Sequence, residues 1–212
     1  MSTEMMHLVT SMNMKKLDTQ LALQCAPVLM DYKISNLLIV EREKISQVMQ
    51  LFPKTELSCK LLMVSEEKAA FLIYREKELI SYLESMEVRK MMESFGYNKY
   101  ALKEILQEFS KRYTKYIQTD GDFPHEMGLL LGYPVEDVAG FIQNEGENFL
   151  YSGYWKVYTN LSEALEHFER YNQAKEIAVR MIYEGKNIFH LIGNSRLNTE
   201  AFQDRKWKPV MI

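Results

Sequence analysis

CKLLMVSEEKAAFLIY, residues 59–74, consists of two apolar runs, Cys59 to Val64 and Ala69 to Tyr74, separated by the polar residues SEEK. Runs of that length, rich in aliphatic and aromatic side chains and interrupted by four polar residues, read as a β-hairpin. Upstream, NLLIVER over 36–42 has the same strand character, and the aromatic stretch 149–158 adds a fourth segment. Helical periodicity dominates the remainder. The expected fold class is therefore α+β: a small, mostly antiparallel sheet made by 36–42, 59–64, 69–74 and 149–158, covered by several amphipathic helices.

Residues 1–13 read as a loosely ordered, methionine-rich arm. Leu17, Leu21, Cys25 and Val28 recur at helical spacing, which predicts a helix over 15–26 with Pro27 at its end. A helix over 43–52 should turn Ile45, Val48, Met49 and Phe52 inward. Leu79, Tyr82, Leu83 and Met86 begin a helical stretch that breaks near Ser85, resumes with Val88, Met91, Met92 and Phe95, and stops at Gly96. Over 99–117, Leu102, Ile105, Leu106, Phe109, Tyr113, Tyr116 and Ile117 form one apolar stripe opposite Lys103, Glu104, Glu108, Lys111 and Arg112. The last long helix should start at a capping box, Asn160 with Glu163, and close at Gly185. Strand character returns at 187–192. These elements make one domain over 1–192, with 193–212 as a C-terminal tail.

The segment 121–158 differs in composition from everything around it. It holds six of the nine glycines, and between Lys115 and Lys156 there is no Lys or Arg, while Asp120, Asp122, Glu126, Glu136, Asp137, Glu145 and Glu147 fall in that interval. The formal charge of the whole chain is -3, so the rest is net positive. Locally the segment reads as two short helices and a strand. Asp122 caps the first, Pro124 sits where a missing N–H costs nothing, and Gly132 ends it. Pro134 opens the second, Val138, Phe141 and Ile142 give it an apolar face, and Gly146 ends it. Gly128 and Gly140, inside the helices, permit close packing. Several carboxylates lie in first helical turns, where the helix dipole favours them. The expectation is a compact module that shows its negative side to solvent.

The run FPHEMGLLLGYPVEDVAGFIQNEG, followed by SGYWKVY, resembles an uncharacterised bacterial family of Firmicutes type, domain of unknown function 3793. The likeness extends to LALQCAPVL around Cys25 and to the helix after Asn160, covering the chain to about residue 185. No catalytic or binding residues are established for that family, so none transfers; the resemblance implies an anaerobic cytoplasmic setting.

Composition excludes several classes. With 212 residues and 47% hydrophobic content the chain can bury a core. No window approaches the roughly 20 apolar residues of a spanning helix, and the N-terminus has no apolar h-region, so no membrane association is expected and the cytoplasm is the expected compartment. Cys25 and Cys59 lie far apart without metal-type or CxxC spacing, in keeping with a reducing compartment. The helix, glycine turn, helix shape of 123–145 invites a helix-turn-helix reading, but the second helix is acidic and has no cation for phosphate, which argues against nucleic acid. No phosphate-binding glycine loop is present.

Candidate chemistry centres on few residues. Cys25, on an apolar stripe, reads first as a buried, inert thiol; the sharper alternative pairs it with His125 as nucleophile and base. His125 and Glu126 with Asp120 or Asp122 form a mixed N/O set suited to a metal, against a structural histidine that holds a loop. Glu136 and Asp137, with the aromatic residues Tyr151, Tyr154 and Trp155, are the candidate contacts for a protein partner or small ligand. The favoured function is a non-catalytic binding or regulatory protein acting through the acidic 120–147 module and the aromatic 149–158 strand. The alternative is an enzyme around His125, Glu126 and Cys25, redox- or metal-linked. The sequence assigns no cofactor and no oligomeric state.

Overall fold

The computed structural model describes residues 3–119 and 121–197. Its centre is the expected hairpin, β2 (Ser58–Val64) and β3 (Lys68–Tyr74), joined to β1 (Ser35–Glu41). All pairings are antiparallel and the order is β1-β3-β2, so β3 is the central strand, with Phe71 opposite Leu38 on one side and Leu61 on the other. The hairpin turn is closed by Ser65, whose N–H donates to the Lys68 carbonyl at 2.8 Å and whose hydroxyl accepts the Lys68 N–H at 3.0 Å.

Alternation along the strands sorts side chains onto two faces. Leu38, Val40, Phe71 and Ile73 point into one core, Ala70, Leu72, Leu62 and Met63 into another. Every residue of β3 after Lys68 is buried, as expected of a strand covered on both sides. In β2 the register slips between Leu61 and Met63. The spare Leu62 carbonyl at this bulge accepts the hydroxyls of Ser110 and Thr114, so α6 (Leu102–Thr119) satisfies the group the ladder leaves over.

Helices α1 (Thr3–Ser11), α2 (Leu17–Leu29), α3 (Ile45–Leu51), α9 (Leu161–Tyr183) and α10 (Ile188–Leu197) contribute to the first core. Helices α4 (Glu76–Leu83), α5 (Met86–Ser94), α6, α7 (Glu126–Leu130) and α8 (Val135–Gln143) build the second. The result is a helix layer, a three-stranded sheet and a second helix layer. Gly96, Gly132, Gly146 and Gly185 all take positive φ at the helix ends expected of them.

Several expectations need correction. Residues 3–11 form a helix, and Met5 is buried, so the N-terminal arm is part of the core. Pro27 lies inside α2. It removes one hydrogen bond, that to the Leu23 carbonyl, but the helix ends at Leu29, and the Pro27 carbonyl then accepts the N–H groups of Tyr32 and Lys33. The buried Arg75 guanidinium closes the same end by donating to the Val28 carbonyl and pairing with Asp31. Met49 is largely exposed. The 149–158 segment does not join the main sheet: it folds on itself as a small hairpin, β4 (Tyr151–Ser152) with β5 (Lys156–Val157), against α9. Asn160 has φ 41° and its side chain caps nothing, so the capping box is absent. Residues 188–197 are helix rather than strand, begun by Asn187, whose side chain accepts the Phe189 N–H at 3.1 Å. Beyond Leu197 the expected tail lies outside the described residues, as does Asp120.

The outer edge of β1 is not open. The Gln24 side chain on α2 accepts the Ile39 N–H at 2.9 Å and donates to the Ile39 carbonyl at 3.0 Å, standing where a neighbouring strand would bond. No helix among the described residues is long and apolar enough to cross a membrane.

Candidate functional site

The 121–146 segment folds as two short helices because proline and glycine punctuate it. The α7 turn ends at Gly132, with φ 70°, and Pro134 precedes α8. Gly128 lets α7 and α8 meet, since a Cβ there would lie 2.8 Å from Val138 Cγ2. Gly140 takes the ring of Tyr158 rather than a helix, with the Tyr158 Cγ 2.5 Å from where a Cβ would stand.

Two of the carboxylates expected at the surface face inward instead. Asp137 is 3% exposed. Its Oδ2 accepts the Trp155 indole N–H at 2.6 Å, and its Oδ1 accepts the N–H groups of Tyr158 and Thr159 at 2.8 and 3.0 Å and the Thr159 hydroxyl at 3.3 Å. The first turn of α8 is thereby tied to β5. Glu126, also 3% exposed, accepts the Tyr97 hydroxyl at 3.1 Å and pairs with Arg112 of α6 at 3.3 Å. Burial and the Glu126 carboxylate push the Tyr97 hydroxyl up. These groups turned inward because each found fixed donors, which a desolvated carboxylate requires. Asp122, Glu145 and Glu147 remain exposed and Glu136 is half-buried. The negative surface is thus thinner than the sequence implies.

Between α6, the 123–141 segment and β5 lies a cleft of about 520 Å³, within the range of about 300–1,000 Å³ usual for small-molecule sites. Two rows of rings meet there. The first runs Tyr113, Tyr116, Phe123, His125 and Phe141, with successive centroids 5.3 to 6.4 Å apart. The second is Tyr133 against Trp155, centroids 5.2 Å apart. Leu37 of β1, Met127, Leu131 and Val138 complete the apolar lining. The polar members are His125, Asp137 and Lys156. Burial pushes the Tyr133 hydroxyl up to about 12. Lys156 donates to the Gly146 carbonyl, and its ammonium stands 5.7 Å from the Phe141 centroid and 4.7 Å from that of Phe149.

The sequence candidates scatter across this geometry. His125 lines the cleft between Phe123 and Phe141, while its neighbour Glu126 turns to Tyr97 and Arg112, so the two do not converge. Cys25 is fully buried in the core on the far face of the sheet, its thiol 3.9 Å from the Leu37 carbonyl, and burial raises it strongly. The sheet separates it from His125, so the thiol and base pair is not formed. Among the described residues no group of three or more His, Cys, Asp and Glu converges as a metal set; Asp122 is exposed, and Asp120 is not described. Of the aromatic candidates only Trp155 reaches the cleft. Tyr154 packs on Tyr171 and donates to Asn172, burial pushing it up to about 12, and Tyr151 is exposed beside Phe168. Glu136 lies away from the lining.

Sequence reasoning missed Tyr116, Phe123, Tyr133, Phe141 and Lys156. The signals were the end of the α6 stripe, whose Ile117 is too exposed for core, and the position of Lys156 as the first cation after forty residues without one.

Against known proteins, the model of a family described as "Protein of unknown function (DUF3793)" matches residues 21–192. No curated protein and no solved structure matches the chain.

Proposed function

The chain belongs to the DUF3793 family, whose function is unknown, and from that premise we propose that it is a non-catalytic binding protein for a small, flat, largely apolar molecule held in the aromatic cleft. The observation that carries this reading is the convergence of seven rings, six from α6 and the 123–141 segment and the seventh from Trp155 just before β5, on one cavity. Rings of this kind offer large rigid area at low entropic cost and favour planar ligands. The polar groups near them support binding over catalysis: Asp137 is spent on four donors, and the buried thiol lies behind the sheet. The aromatic 149–158 segment takes part through Trp155, and the acidic module through the helices that frame the cavity rather than through its charge.

Trp155 supplies the test. In a Trp207→Phe variant it is the sole tryptophan, and N-phenyl-1-naphthylamine, an uncharged planar probe, accepts its emission. Saturable quenching is expected, with the affinity reduced about tenfold, or 1.4 kcal/mol, in Tyr116→Ala, which removes one wall. Non-saturable quenching, or a Tyr116→Ala variant that folds and binds as the parent does, overturns the reading.

A further inference from the structure

We propose that the ligand of this cleft is a planar aromatic anion, a ring system carrying a carboxylate, sulfonate or similar group whose charge is taken by Lys156 at the cleft wall, with His125 as the neighbouring donor. The inference rests on the cleft being the binding site and adds the ligand's charge.

Lys156 carries the argument. It is half-buried at the wall, its ammonium over the faces of Phe141 and Phe149, and the Gly146 carbonyl is the acceptor that holds it. An ammonium has three protons to donate, so capacity remains. Glu145 and Glu147 flank Gly146 in the chain, yet Lys156 forms no ion pair with any carboxylate among the described residues, where ten other such pairs occur. A partly desolvated cation beside an apolar cavity, paired with no carboxylate among the described residues, is placed for an anion that arrives from outside.

The second polar group lines the same cleft. The His125 ring and the Lys156 ammonium each lie 5.7 Å from the centroid of the same ring, Phe141. The His125 ring makes ring contacts but its nitrogens make no hydrogen bond to another described residue, so they are available to a ligand. The remaining charge in the lining, Asp137, has both carboxylate oxygens engaged and faces Trp155 and the 158–159 backbone. The flanking carboxylates Asp122, Glu145 and Glu147 are exposed, where water and salt screen them, while Lys156 acts at contact distance in a drier setting. An apolar ring against the aromatic walls and one negative group toward Lys156 and His125 match this distribution.

The test compares N-phenyl-1-naphthylamine with 1-anilinonaphthalene-8-sulfonate, which has the same rings and adds a sulfonate. Trp155 quenching in the Trp207→Phe protein reports both. The sulfonate is expected to tighten binding at least about tenfold at low ionic strength, and the advantage should shrink as salt rises. Lys156→Met should abolish the advantage, and Lys156→Arg should restore it, which separates a lost charge from a damaged fold. His125→Phe, which keeps the ring contacts, should remove part of the advantage. Saturable binding of the uncharged probe without a sulfonate advantage, or with one that survives Lys156→Met, overturns the assignment of charge alone. Tighter binding of the trimethylammonium analogue, N,N,N-trimethyl-1-naphthylammonium, overturns it in favour of a cationic ligand. If neither naphthalene probe binds saturably, the cleft reading falls, and this proposal falls with it.

Discussion

On the face of the sheet that carries Leu38, Phe71 and Ile73, α2 and α9 lay Leu, Ala, Val and Met side chains flat against the strands, and most of those residues have no exposed surface. On the opposite face α4, α5, α7 and α8 are each nine residues or shorter, and the layer they form with α6 is rich in tyrosine. Long helices present continuous apolar stripes and close most of a face by packing. Short helices have a high proportion of unpaired backbone ends and cannot tile the surface completely. The second face is therefore pinned by buried polar anchors, Asp137, Glu126, and the hydroxyls of Tyr82 and Ser35 donating to the Tyr133 and Leu130 carbonyls. The cleft is the space that such a layer leaves unfilled.

That contrast is open to attack at its strongest anchor. Asp137→Ala deletes the carboxylate that accepts four donors, the buried Trp155 indole N–H among them, so it should lower stability by roughly 3–5 kcal/mol in denaturant unfolding, with Asp137→Asn losing less. A melting curve close to that of the parent would mean that polar anchors do not hold the second face.

Lys33 tests the boundary between the layers. It is 3% exposed over the Tyr133 ring, and burial pushes its ammonium down from 10.5 to about 7. Below about pH 7 both folded and unfolded chains carry the charge and the burial cost is whole. Between about 7 and 10.5 the unfolded chain holds the extra proton, so stability rises with pH, and above that range it is level. Lys33→Met should therefore stabilise the protein by roughly 3 kcal/mol near neutrality and flatten the rise between pH 7 and 10.5. An unchanged pH profile would show the ammonium to be solvated.

Gly140→Ala sharpens the comparison within the second face. The added methyl meets the Tyr158 ring, and a loss of about 2 kcal/mol is expected from overpacking, measured by chemical denaturation. Wild-type stability would show that the module yields at this contact. The smallest effect concerns reactivity. With iodoacetamide near neutral pH, half-buried Cys59 should label before Cys25, which should label only on unfolding. Labelling of Cys25 in the native protein would mean that the closed face opens.

The sheet was legible because its residues obey one local rule. Apolar runs at 36–42, 59–64 and 69–74, with SEEK between the last two, specify the strands and the hairpin. Glycine stops at 96, 132, 146 and 185 were legible for the same reason, since positive φ is a local demand. Where the reading failed, distant partners decided. Asp137 and Glu126 look like first-turn surface carboxylates until Trp155, Thr159, Tyr97 and Arg112 arrive from other elements. The aromatic alternation at 149–158 mimics a strand, yet its rings pack on Phe168 and Tyr171 of α9, and the main sheet ends without it. At 187–192 a single side chain, Asn187, turned an apolar run into a helix start. The cleft was illegible as a unit because β1, α6, the 123–141 segment and β5 each supply only part of it.

The clamp of Gln24 on Ile39 bears on how copies of this chain can meet. A bare outer strand is a template on which a second molecule adds its own, and repetition gives ribbons and fibres. Here the amide of Gln24 occupies the Ile39 N–H and C=O pair that such growth would start from. Self-association through that border is blocked at Ile39 by a single glutamine.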